Sequence, residues 1–219
     1  MNRSLEAFNV YAEVVLQDDD ETGSFSCFQA ESLSMNQWHF AQAARVLQDG
    51  GVIAYPTEAV WGLGCDPFNE QAVNRLLALK KRPVEKGVIL VASSVEQIAP
   101  LFDPLTDSEK EKLLATWPGP NTWLLPDPDN LIPQWIKGEH DSVAVRISAH
   151  AGVAALCDAF GGCIVSTSAN PAGSEPARSL LRVSIYFARK ADYIVPGNIG
   201  KLAQPTRIQD LRDSRVVRS

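Results

Sequence analysis

Val52-Ile53-Ala54-Tyr55-Pro56 is a short apolar run stopped by a proline, directly behind the turn-forming Asp49-Gly50-Gly51. A run this brief, bounded by turn residues, reads as a buried strand. Ahead of it Phe40, Ala43, Ala44 and Leu47 recur at helical spacing, and the two glycines supply the stop. Beyond it the pattern keeps alternating. Further strands are expected over residues 88–92, 122–125 (stopped by Pro126), 143–148, 162–168 and 193–195. Helices are expected from the Asn69 cap to Lys81, then over residues 95–102, 107–116, 151–160 and 180–190. The proline-rich span 118–133 reads as a loop-rich connection bordering an open cleft. This interleaving predicts an α/β fold with helices covering a sheet.

The chain of 219 residues is long enough for one large domain. Its net charge of −6 is unevenly placed: residues 1–34 hold seven of the 26 acids and one of the 20 bases, leaving 19 of each in the rest. A neutral main domain has no broad nucleic-acid-binding character. Residues 17–34 join an acidic block to a small-polar stretch, so residues 1–34 are read as an acidic, flexible extension and 35–219 as a single functional domain. No apolar run approaches the ~20 residues that span a bilayer, and Met1-Asn2-Arg3-Ser4 lacks a signal-peptide pattern. The expectation is a cytoplasmic protein with no membrane association. Four irregularly spaced cysteines and three histidines match no common zinc spacing, so reduced structural thiols are expected and no metal site.

Two polar runs interrupt this apolar framework. In the first, Val73, Leu76, Leu77 and Lys80 follow helical spacing, which puts an ammonium on the line of the buried face. Pro83 forces Arg82 towards an extended backbone. Lys80 and Arg82 can therefore converge on one anion, with Lys86 nearby; compensation of the helix dipole by surface bases is the plain alternative. Lys81, one step off that face, is left out. In the second run, Ser166, Ser168 and Asn170 share one face while the strand stays extended, a row of uncharged donors and acceptors; a polar turn over residues 169–173 is the plain alternative. Between the two, Ser142, Ala144, Arg146 and Ser148 alternate with Val143, Val145 and Ile147, which leaves one arginine among small residues. Thr57 sits just past a strand end, where ligands of open α/β sheets bind. No Walker or dinucleotide fingerprint is present.

The segments at residues 52–60, 79–83, 117–120, 142–146 and 166–170 together resemble the YrdC-like family in the family's own order, covering residues from about 36 to 219. The resemblance implies an open, twisted mixed sheet with helices around a large concave cavity. It implies a nucleotidyltransferase that joins L-threonine, bicarbonate or carbon dioxide, and ATP into threonylcarbamoyladenylate, releasing pyrophosphate. That product serves threonylcarbamoyladenosine formation in tRNAs reading codons that begin with A.

By the same resemblance Lys80, Arg82, Ser168 and Asn170 are catalytic. ATP is contacted by Lys80, Arg82, Lys86, Ser142, Ser168, Asn170 and Arg218. Threonine lies among Thr57, Arg146, Ser166 and Thr206, with Arg146 pairing its carboxylate. Magnesium is expected with the ATP, without a protein cage of its own. A downstream threonylcarbamoyl-transferase complex and a weak tRNA contact are the expected partners. The other readings are an RNA-binding module and a paralogue without robust synthase activity. Ala59 and Trp61 stand where longer relatives carry threonine and tyrosine, and Thr206 and Arg218 rest on a loose match.

Overall fold

The computed structural model describes residues 27–202 and 206–218, with the side chains of residues 27–35 and of Arg218 excepted. Helix α1 (Cys27–Gln48) leads into the hairpin β1 (Ile53–Pro56) and β2 (Trp61–Gly64). Then come α2 (Glu70–Lys80), a 3-10 turn (Val84–Lys86) and β3 (Ile89–Ala92). A second 3-10 turn (Glu96–Ile98) runs into α3 (Ala99–Phe102), followed by α4 (Asp107–Leu114), β4 (Asn121–Pro126), α5 (Gln134–Lys137) and β5 (Ser142–Ile147). The chain continues through α6 (Ala151–Phe160), β6 (Ile164–Ser168), α7 (Leu180–Phe187), β7 (Tyr193–Ile194), β8 (Arg207–Asp210) and β9 (Val216–Arg218).

Among the described residues the strands form one mixed, nine-stranded sheet in the order β7-β1-β2-β6-β3-β5-β4-β8-β9. The α/β expectation and most of the expected strands are met. Strands β2, β8 and β9 and helix α5 are additions. The strand expected from residue 162 begins at Ile164, and the helix expected to reach residue 190 ends at Phe187. Helix α1 starts at Cys27, ahead of Met35, so its first residues belong to the stretch read from sequence as extension.

Local chemistry accounts for the elements that frame the cavity. The Asn69 side chain accepts from the Ala72 backbone N–H (3.0 Å) and starts α2. Val73, Leu76 and Leu77 bury one face of that helix, each contributing roughly 1.5–3 kcal/mol. Lys81 ends it in the left-handed region at φ 53°. Strand β2 is wedged antiparallel between β1 and β6. A Cβ on Gly64 would come within 2.7 Å of the Val165 carbonyl oxygen and 2.9 Å of the Tyr55 ring. Only glycine lets these strands approach so closely.

The two faces of the sheet are covered unequally. One carries the larger core, including Leu63, Leu76, Leu90, Val143, Val145, Val165 and Phe187. On the other, α1 and α6 pack with Ile53, Tyr55, Val91 and Ile164. The rest of that second face, under β4, β5 and β8, carries the cavity. Replacing Gly64 with alanine is expected to lower unfolding stability by roughly 1–3 kcal/mol through overpacking, measurable as a shift in urea midpoint at unchanged slope.

Candidate active site

The cavity has a volume of about 390 Å³, within the range of small-molecule sites. Its floor is the open sheet face: Ile89, Leu124, Ser142, Ala144, Arg146, Ser166 and Ser168 all line it. Period-two alternation puts them there, since Val143, Val145 and Ile147 on the same strand belong to the core behind. The β1–β2 hairpin forms one rim through Thr57, Glu58, Ala59, Val60 and Trp61. Arg82, Lys86 and Gly87 form a second, joined by Lys137 and His140, and Thr206, Ile208 and Val217 close the far side.

Of the residues expected from sequence, Thr57, Arg82, Lys86, Ser142, Arg146, Ser166, Ser168 and Thr206 line this space together. The Arg82 Nε donates to the Gly87 carbonyl (3.1 Å), and Nη2 donates to the carbonyls of Gly87 (2.8 Å) and Lys86 (3.2 Å). This holds the guanidinium at the rim with N–H groups to spare, and burial lowers its pKa. The Thr57 hydroxyl donates to the Val60 carbonyl at 2.7 Å.

Lys80 and Asn170 sit behind the wall. Lys80 is 5% exposed, and its ammonium donates to the carbonyls of Ser168 and Asn170 (3.0 Å to the latter) and lies 3.4 Å from the Asn170 side-chain oxygen. Burial pushes its pKa down to about 8, with the charge of Arg82 adding to the effect. Asn170 accepts from the Ser168 hydroxyl (2.6 Å) and donates to the carbonyls of Ser174 (2.8 Å) and Pro171 (3.2 Å). The extended alternation thus stops at Ser168, and the Asn170 amide turns back on its own loop. Lys81 is exposed. The Arg218 side chain lies outside the described residues.

Three charged or titratable groups were not singled out in the sequence. Glu58 is 7% exposed; it accepts the Ser148 hydroxyl at 2.6 Å and faces Arg146 at 3.6 Å. Lys137 is held by Asp127 (2.9 Å) and Asn130 (2.7 Å), and His140 stands at the rim. Alternation places Ser148 on the face of Arg146, but nothing local marks Glu58 as a partner of either.

Comparison with known proteins places this geometry in context. A family model described as telomere recombination, which covers Sua5, YciO and YrdC proteins, matches residues 45–219. A threonylcarbamoyl-AMP synthase of Marinobacter nauticus is 53% identical over 182 residues, 83% of this chain and 96% of that protein. One from Pseudomonas paraeruginosa is 56% identical over 176 residues, 80% and 94% of the two chains. Among solved structures, Sua5 of P. abyssi complexed with L-threonine superposes with a TM-score of 0.76 at 30% identity. That match covers 82% of this chain but 53% of the longer Sua5 chain. E. coli YciO superposes with a TM-score of 0.72 at 26% identity, covering 83% and 89%. The chain belongs to the Sua5/YciO/YrdC family.

Proposed function

We propose that this chain is an L-threonylcarbamoyladenylate synthase, making the adenylate and pyrophosphate from L-threonine, bicarbonate or carbon dioxide, and ATP. The observation that carries the reading is one cavity with a cationic rim, Arg82 and Lys86, facing a hydroxyl-lined floor that holds Arg146. The relatives named threonylcarbamoyl-AMP synthase, more than half identical over most of their length, support the same reaction. The product supplies threonylcarbamoyladenosine formation in tRNAs that read codons beginning with A. A transferase complex consumes it downstream, tRNA contact is weak, and the compartment is the cytoplasm. No helix among the described residues is long and apolar enough to cross a membrane.

The chemistry needs no protein nucleophile. The amine of threonine adds to carbon dioxide, a carbamate forms with loss of protons, and its oxygen attacks the α-phosphorus of ATP as the bond to pyrophosphate breaks. Arg146 holds the amino-acid carboxylate among Thr57, Ser166 and Thr206. Arg82 and Lys86 hold the triphosphate, and Ser142 and Ser168 contact the nucleotide. Lys80 and Asn170 act from behind Ser168, where the buried ammonium sets the turn and directs its charge at the phosphates. Holding amine and phosphate in line contributes about 7–11 kcal/mol at best, and charge stabilisation of the leaving pyrophosphate adds to it.

Glu58 is the one acidic side chain lining the cavity among the described residues, and Ser148 and Arg146 already engage it. That donor set suits a magnesium ion carried on the triphosphate oxygens, where it would neutralise phosphate charge, rather than one caged by protein.

Purified protein incubated with ATP and bicarbonate is expected to release pyrophosphate and form adenylate only when L-threonine is added; absence of that dependence sinks the reading. Lys80→Ala and Arg82→Ala are each expected to cost on the order of 10²–10³ in turnover with circular dichroism unchanged. Near-wild-type turnover in both would remove them from the site.

The pH dependence follows from Lys80. Its folded-state pKa, about 8, lies below the ordinary 10.5, so the ammonium is lost as pH rises through about 8. kcat/KM for ATP is expected to fall across that range, and Lys80→Arg is expected to move the falling limb upward. Stability runs the other way. Burial of the ammonium opposes folding below pH 8, and the penalty lifts as pH rises towards 10.5.

A further inference from the structure

Two atoms in the cavity wall stand out among the described residues. Glu58 Oε2 and Arg146 Nε are buried polar atoms without a hydrogen-bond partner. They belong to side chains 9% and 7% exposed, whose closest charged approach is 3.6 Å, from Arg146 Nη2 to Glu58 Oε2. Buried polar groups in folded proteins are nearly always paired. Here one unpaired acceptor and one unpaired donor, of opposite charge, sit side by side where a ligand binds.

Both groups are held firmly otherwise. Arg146 Nη1 donates to the Thr206 hydroxyl at 2.9 Å. Glu58 Oε1 accepts from Ser148 at 2.6 Å. The backbone of Glu58 is pinned from outside, where the Leu202 N–H donates to its carbonyl at 3.1 Å and the Gly200 N–H donates to Thr57 at 2.8 Å. A Cβ on Gly200 would lie 2.6 Å from the Glu58 carbonyl oxygen, so the segment packs directly against the hairpin. The backbone that carries Glu58 is therefore held in place, and its side chain is tethered to Ser148.

We propose that Glu58 sets the charge selectivity of the amino-acid subsite, making it complementary to a zwitterion and hostile to a simple anion. The proposal rests on the reading that Arg146 takes the substrate carboxylate. When a ligand carboxylate draws on the guanidinium, Glu58 loses part of the one counter-charge it has among the described residues, and an uncompensated buried carboxylate is costly. An α-amino acid repairs the loss, because its ammonium stands next to its carboxylate. A ligand with a carboxylate and no amine adds a second negative charge beside Glu58 instead. A ligand with an amine and no carboxylate leaves Arg146 unmatched. The same rule keeps bicarbonate, the anionic co-substrate, from occupying Arg146 in place of the amino acid. Selectivity of this kind comes from the repulsive partner as much as from the attractive one.

The test is calorimetric titration of the full chain, with ATP present and bicarbonate withheld. The probes are L-threonine, 2,3-dihydroxybutanoate (hydroxyl for amine) and threoninol (alcohol for carboxylate). Wild-type protein is expected to bind threonine at least about tenfold more tightly than either analogue. In Glu58→Gln, threonine is expected to weaken by about tenfold while 2,3-dihydroxybutanoate holds or gains, so the preference between them collapses. Arg146→Lys reports separately on the carboxylate grip and is expected to weaken threonine and 2,3-dihydroxybutanoate together. If Glu58→Gln does not fold, the wild-type analogues decide alone, and equal affinity for threonine and 2,3-dihydroxybutanoate overturns the proposal. Tight threonine binding with the same preference in Glu58→Gln overturns the role of Glu58 and leaves the threonine site standing. Absence of threonine binding to wild type overturns the threonine site, and the proposal with it.

Discussion

A cation removed from water must meet acceptors inside the protein, or the chain cannot close around it. Three buried cations impose that condition around the cavity, and each is met by a different part of the chain. Lys80, at the end of α2, reaches carbonyls at and just beyond the end of β6. Lys137, in α5, reaches Asp127 and Asn130 beyond β4. Arg146, on β5, reaches Thr206 ahead of β8 and faces Glu58 in the β1–β2 hairpin. The partners of Lys80 and Arg146 are distant in sequence, so satisfying those charges also fixes where the walls stand. The framework is apolar, but the shape of the open space is set by charge.

That division explains why one sheet face is packed and the other hollow. Behind β5, Val143, Val145 and Ile147 join the larger core. In front, Ser142, Ala144 and Arg146 offer too little apolar surface for a helix to bury. Helices α1 and α6 therefore cover only the part of that face where Ile53, Tyr55, Val91 and Ile164 invite them. Among the described residues, the site is the part of a sheet that its own composition leaves unpacked.

Much of this was legible in the sequence because alternation and helical spacing are local signals. The two faces of β5, the buried line of α2 ending in Lys80, and the hydroxyls of β6 all follow from periods of 2 and 3.6 residues. Strand β2 was harder to see, since two of the four residues in Trp61-Gly62-Leu63-Gly64 are glycines, and the segment is held as a strand between β1 and β6. Strand β8, Arg207-Ile208-Gln209-Asp210, is hardly apolar and owes its form to parallel pairing with β4. The surroundings of Lys80 were hidden for a different reason. Its acceptors are mainly backbone carbonyls, which every residue has, so no side-chain pattern announces them. Glu58 shows the same gap between chemistry and pattern, because its partner Arg146 lies far along the chain.

The ends of the sheet carry a consequence for solubility. A sheet this wide exposes unpaired N–H and C=O groups at two margins, and a long, flat margin is a template for strand addition by another copy. Here the margins are β7, two residues long, and β9, three residues long. Neither offers enough consecutive groups to register a foreign strand. The longer strands, whose hydroxyls and charges line the cavity, are sequestered in the interior of the sheet. Among the described residues, the fold thus keeps a wide hollow without presenting a long sheet edge on which an amyloid-like stack could grow.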